Sequence, residues 1–186
     1  MTTPPKQVRR RRNLLITVAI AALITLIAAD RLGLLLVRDG DDMAAYDGAT
    51  VRVVNVIDGD TIIVDTPDPL SARPVTTIRL WGIDAPERAH NNAPAEPLAN
   101  EATQFARDLV HNTAVTLHLE SHRTRGIYGR VLAHVDLHDG RCLNALLLEA
   151  GLAHLDERWP HDRLITYAQK HKAAQRAGNG LWANDN

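Results

Sequence analysis

Three short clusters in this chain combine residue types suited to phosphate and hard-cation chemistry. They are Asp58-Gly59-Asp60-Thr61, then Arg79 followed by Asp84, Pro86 and Glu87, then Tyr128-Gly129-Arg130. Carboxylates without thiolate or imidazole neighbours favour a hard cation, calcium or magnesium, over zinc. An ion held loosely by two carboxylates, a backbone carbonyl and waters can accept a phosphate oxygen and act as a Lewis acid. Hydrolysis of a phosphodiester also needs planar cationic donors for the non-bridging oxygens, which arginine supplies, and a base to orient or deprotonate water. Asp60, Asp84, Arg79, Arg130 and Glu87 fill those roles.

The elements that must carry these residues can be read from periodicity. Residues 50–56 (TVRVVNV) alternate and are β-branched, and residues 61–65 return after the Asp58-Gly59 turn signal, so the first cluster sits at a hairpin turn. A third strand over 75–81 places Arg79 on the face opposite Ile78 and Leu80, and an arginine directed into a barrel mouth needs an anionic partner. Residues 84–98, with three prolines, read as a long irregular loop. Asn100 is expected to cap a helix through Val110 with Ala102, Phe105, Ala106, Leu109 and Val110 on its apolar side. Strands over 115–119 and 131–137, a short helix over 144–150 stopped by Gly151, and a last helix capped by Asp162 and ended by Gly178 complete the pattern. The fold class expected is α+β, a five-stranded OB-fold barrel with about three packed helices, preceded by one N-terminal transmembrane helix.

The segments VIDGDTIIV (56–64), IRLWGIDAPE (78–87), YGRVLAHV (128–135) and NALLLEAGLAHL (144–155) together resemble the staphylococcal nuclease, or thermonuclease, family. The resemblance runs from about Val51 to Trp182 and implies an OB-fold barrel and calcium-assisted cleavage of DNA or RNA, with one Ca2+ ion. It also implies that Asp60, Asp84 and the carbonyl of Ala85 ligate the calcium, that Arg79 and Arg130 clamp the scissile phosphate, that Glu87 handles the attacking water, and that Tyr128 contacts a terminal phosphate. Two departures stand out. Gly126 and Ile127 precede Tyr128 where the family usually has charged residues, so a phosphate-binding cation is missing unless Arg123 or Arg125 replaces it. The stacking aromatics that follow GLA are replaced by His154, Asp156 and Glu157, which leaves Trp159 either to stack a base or to cover the last helix. The alternative function is a catalytically inactive OB-fold module that binds nucleic acid.

Charge separates the chain into parts. Lys6 and Arg9 to Arg12 give the first twelve residues +5, which leaves 16 basic against 22 acidic residues in the remainder, a net of -6. A broad basic nucleic-acid surface is therefore excluded, and a polyanionic substrate must be held by a few placed arginines and a cation. Leu14 to Ala29 is uncharged and covers about 24 Å as a helix, extendable to a ~30 Å hydrocarbon layer by snorkelling of Arg12 and Arg31. Clustered arginines ahead of it predict the N-terminus in the cytoplasm and the domain outside, single-pass, or secreted if the segment is a cleaved or twin-arginine export signal. The organisation expected is 1–12 basic cytoplasmic N-terminus, 13–37 anchor or export signal, 38–48 linker and 49–186 globular domain. The partners implied are DNA or RNA substrate and a membrane; no protein partner is implied and a monomer is expected.

The remaining reactive residues read as structural. Cys142 is alone, so no intrachain disulfide forms and a buried thiol is expected. His134 with His138, and His118 with His122, are four apart on strand and turn and share no face, so no histidine metal site is expected. Trp81 and Trp182 are expected to pack the core and the tail.

Overall fold

The structure is a computed structural model that describes residues 39–89 and 93–183. The basic N-terminus and the apolar segment 13–37 lie outside the described residues. No helix among the described residues is long and apolar enough to cross a membrane.

The domain begins with helix α1 (Asp39–Tyr46), followed by strands β1 (Thr50–Asp58), β2 (Thr61–Val64), β3 (Thr76–Leu80) and β4 (Ile83–Asp84). Helix α2 (Ala99–Val110), strands β5 (Ala114–His118) and β6 (Val131–Leu137), helix α3 (Leu143–Glu149), strand β7 (His154–Leu155), helix α4 (Leu164–Ala177) and a 3-10 turn (Gly180–Trp182) come next. Five strands close into a barrel in the order β1-β2-β3-β6-β5. All neighbours are antiparallel except β3 and β6, which run parallel. This is the five-stranded barrel that the alternation predicts. The two-residue strands β4 and β7 pair separately, Ile83 with Leu155 and Asp84 with His154, and are too short to show any periodicity in the sequence.

The core is aliphatic, as the scarcity of aromatics requires: Val53, Ile62, Val64, Ile78, Leu117, Val131 and Val135 fill the barrel, and Leu143, Leu147 and Leu148 pack α3 against it. Strand β1 does not alternate cleanly. Its register against β2 shifts between Val53 and Asn55 and again between Val56 and Asp58. Each extra residue is a bulge that re-aims the next stretch of strand: the first brings Val56 into the core row with Ile62 and Ile78, and the second puts Asp58 in the row of Thr61 and Arg79.

Segment 38–48, read from its polar composition as a linker, belongs to the domain from Asp39 onward. Tyr46 is fully buried, its hydroxyl 3.0 Å from Thr76 Oγ1 and donating to the Pro67 carbonyl at 3.2 Å. Asp42 is buried against Arg125, accepting from Nη2 at 2.6 Å and Nε at 2.8 Å, and Arg125 Nη2 also donates to Asp68 at 3.0 Å. Asp42 thus meets a cation 83 positions away, a pairing that local composition cannot announce.

Two helix starts differ from expectation. Helix α2 begins at Ala99, after Leu98 in the left-handed region, so Asn100 lies inside the helix and caps nothing. Helix α4 begins at Leu164, two residues beyond Asp162, whose amide donates instead to Glu120. Gly151 and Gly178 end their helices with positive φ as expected. Cys142 is only partly buried, with Sγ 3.2 Å from the Tyr167 hydroxyl. Trp81 is buried in the core, and Trp182 packs edge-on against His154 and His171.

Candidate active site

The end of β3 with β4 and the turn before β6 open onto one cleft of about 490 Å3, and the β1–β2 turn reaches it through the pairing of Asp60 with Arg79. The turn is fixed by a close approach: a Cβ on Gly59 would lie 2.7 Å from Ala85 Cβ and 2.8 Å from Ala102 Cβ. Only glycine lets the turn press against both α2 and the strand that carries Asp84. Asp58 Oδ1 accepts the Asp60 amide at 3.1 Å, a local bond that holds the turn's shape.

Asp60 is 1 % exposed, yet both its oxygens are engaged. Oδ2 accepts the Ala85 amide at 2.7 Å, and Oδ1 accepts the Thr61 hydroxyl at 3.1 Å and pairs with Nη1 of Arg79. Arg79 stands opposite Thr61 in the β2–β3 register. Its other terminal nitrogen, Nη2, pairs with Asp84 Oδ1 and donates to the Ile83 carbonyl at 3.3 Å. One guanidinium is therefore held between a buried carboxylate and an exposed one at the cleft. The two carboxylates end on neighbouring nitrogens of the same guanidinium, and an all-oxygen set of this kind is the chemistry a hard cation takes.

Arg130 sits immediately before β6, its Nη1 3.3 Å from Thr61 Oγ1, with its guanidinium 5.7 Å from the centre of the Tyr128 ring. The tight turn before it depends on Gly129 at φ 74° and on the Gly126 amide donating to the Arg130 carbonyl at 3.0 Å. The turn projects Ile127 and Tyr128 into solvent, Tyr128 being 79 % exposed. Glu87 lines the same cleft, its amide donating to Glu96 Oε2 at 2.9 Å. Partial burial pushes the Glu87 carboxyl up from its ordinary value, the nearby charges of Asp58 and Asp84 push it further, and Arg79 and Arg130 pull against them. Burial likewise raises Asp58, against the hydrogen bond from Thr61 and the pull of Arg79 and Arg130.

The structure thus gathers Arg79, Asp84, Glu87, Arg130, Tyr128 and Trp159 around one cleft, with Asp60 buried against Arg79 and outside the lining. Ala85 meets Asp60 through its amide. Trp159 is half-exposed at the cleft with the Arg123 guanidinium 4.0 Å above its ring, so that face is occupied by a cation. Arg125, one of two residues expected to replace the absent phosphate-binding cation, is committed to Asp42 and Asp68, while Arg123 lies in the cleft. The contacts made by three residues escape a reading of local pattern. Asp58 is set in the row of Thr61 and Arg79 by the bulges in β1. Thr61 links Asp60 to Arg130. Asn144, fully buried, accepts the Val135 amide at 3.0 Å and donates to the Trp81 carbonyl at 2.9 Å, tying the end of β3 to β6 and α3. The position of Asn144 at the head of an apolar helix is the one signal of it in the sequence.

The chain is similar to known nucleases. A family model described as staphylococcal nuclease homologue matches residues 77–184. The chain is 33% identical over 138 residues to a thermonuclease of Staphylococcus hyicus, covering 73% of this chain and 76% of that protein. It is 35% identical over 136 residues to a thermonuclease of Staphylococcus intermedius, covering 73% and 77%. It is also 32% identical over 133 residues to an uncharacterized endonuclease of Escherichia coli, covering 72% and 76%.

Proposed function

The chain belongs to the staphylococcal nuclease homologue family and is a nuclease that hydrolyses phosphodiester bonds; from that footing we propose that it is a calcium-dependent nuclease of low sequence specificity that acts on DNA or RNA outside the cytoplasm. The observation that carries this reading is Arg79 held between Asp60 and Asp84 at the mouth of a cleft that also contains Arg130 and Glu87.

Asp60, Asp84 and the Ala85 carbonyl would hold the calcium, which supplies Lewis acidity and charge neutralisation at a phosphate oxygen. The chain's own groups do the rest. Arg79 and Arg130 approach from β3 and from the start of β6, and two planar donors so placed clamp the non-bridging oxygens of one phosphate and stabilise the charge that builds there. The raised proton affinity of Glu87 suits it to orient a water molecule and take its proton. Tyr128, exposed along the rim, offers a hydroxyl to a terminal phosphate, and Trp159 offers a base the ring face opposite Arg123. Low specificity results from a site that grips phosphate and offers few groups to base edges. All of these residues come from one chain, so a monomer suffices.

The location rests on sequence. Residues 14–29 are apolar and come after four arginines, which favours a single-pass anchor with the N-terminus in the cytoplasm and the domain outside. Protease added to spheroplasts should then remove the domain and spare a cytoplasmic marker; a protected domain would rule this topology out. The catalytic reading is tested by digesting single-stranded DNA with the full chain, with calcium and then with chelator, beside Glu87→Gln. Activity that survives both chelation and the substitution overturns the proposed mechanism.

A further inference from the structure

His161 lies ahead of α4, is 8 % exposed, and among the described residues neither of its ring nitrogens has a hydrogen-bond partner. A buried imidazole left in that state carries the desolvation cost of both nitrogens with no return. Its surroundings suggest the missing partner. His134, on β6 and 2 % exposed, and Glu120, in the connection after β5, each present a donor atom, and the three donor atoms lie within 4.8 Å of one another. We propose that Glu120, His134 and His161 form a binding site for a transition-metal ion of the zinc class, separate from the catalytic cleft.

The chemistry of the set selects the ion. Two imidazole nitrogens and one carboxylate oxygen are a donor set of zinc and its neighbours, whereas calcium takes oxygen ligands almost exclusively. The surrounding contacts orient the donors in the manner of metal sites. His134 Nδ1 is 2.8 Å from the Tyr167 hydroxyl and Nε2 is 3.2 Å from Glu120 Oε1; an ion would take the place of the proton shared between Nε2 and Glu120, leaving Nδ1–H to donate to Tyr167. The Asp162 amide donates to the same Glu120 oxygen at 2.9 Å and fixes that carboxylate. The His134 and His161 rings stand 5.1 Å apart, tilted at 43°. The expectation of no histidine metal site rests on pairs four apart in the chain; the pair that meets is 27 apart and is brought together by the docking of α4 on β6.

An ion here would join the β5–β6 connection, β6 and the entrance to α4. It would also brace Gly82, since a Cβ on Gly82 would lie 2.5 Å from His161 Nε2, and the next strand carries Asp84. Binding to the folded chain alone raises its stability. None of the three ligands belongs to the cleft, so the proposal stands whether or not the calcium reading does.

The test uses the full chain, stripped by chelator and titrated with Co2+ as a spectroscopic probe of zinc sites. One ion per chain is expected, with the visible absorption of four-coordinate cobalt, displaced by one equivalent of zinc and untouched by excess calcium. Zinc should raise the melting temperature of the native sequence. His161→Ala and Glu120→Gln should each lose the 1:1 cobalt signal and the zinc-dependent shift. Glu120→Gln keeps a carbonyl for the Asp162 amide, so it decides the matter if His161→Ala does not fold. Failure of the native chain to bind cobalt at 1:1, a signal that persists in the folded variants, or displacement by calcium overturns the site.

Discussion

The guanidinium of Arg79 is clasped by the buried carboxylate of Asp60 across the β2–β3 ladder, and its second terminal nitrogen reaches Asp84. Position and charge thus reach the cleft as a unit. Arg79→Lys keeps the charge and loses the fork that spans both carboxylates and a phosphate. It is expected to lower kcat by about 10²–10³-fold, as loss of one transition-state donor does, with a smaller change in KM. Steady-state kinetics on a short single-stranded substrate check this, and a loss confined to KM would contradict a transition-state role.

Glu87 gains proton affinity from burial and then from the charges of Asp58 and Asp84. As base it must be ionised, so the rate should fall as pH drops through a value above the ordinary glutamate pKa. Asp58→Asn removes one of the charges that raise Glu87, and the acid limb of the kcat/KM profile should move to lower pH. Glu87→Gln should reduce kcat by about 10²–10⁴-fold and abolish that limb.

Gly59 has no room for a methyl group between Ala85 and Ala102. Gly59→Ala is expected to destabilise by about 1–3 kcal/mol through overpacking. Adding Ala102→Gly, which alone costs about 1 kcal/mol of helix propensity, should recover part of the loss. Denaturant titration of the two single variants and the double variant measures the coupling; strict additivity would show that the crowding lies elsewhere.

The buried trio of Asp42, Arg125 and Asp68 fastens α1 to the barrel. Arg125→Met leaves two buried carboxylates without their cation and is expected to cost about 3–5 kcal/mol, read as a fall in melting temperature. Burial raises the Asp68 carboxyl, but hydrogen bonds from Arg125, Ser71 and the Leu70 amide outweigh it and hold the group below its ordinary value. The stability from that lowering is present above the unfolded pKa and is lost as pH falls through the folded one. The native chain should therefore lose stability on acidification more steeply than Arg125→Met.

Cleft residues that lie a few positions from a turn or strand end are legible in the chain itself. The outward projection of Arg79 follows from alternation with Ile78 and Leu80, and the placing of Asp60 follows from a glycine turn between two β-branched runs. Both depend on interactions a few residues long, which periodicity and turn chemistry record. Other features are set by partners far along the chain. The placing of Asp58 beside Thr61 and Arg79 depends on two extra residues in β1 relative to β2, a count that involves both strands. Helix α1 joins the domain because Asp42 meets Arg125, and His161 meets His134 because α4 folds back over β6. No local pattern carries these contacts, since a buried charge or an enclosed imidazole becomes favourable only once the tertiary fold has excluded water and brought its partner into reach.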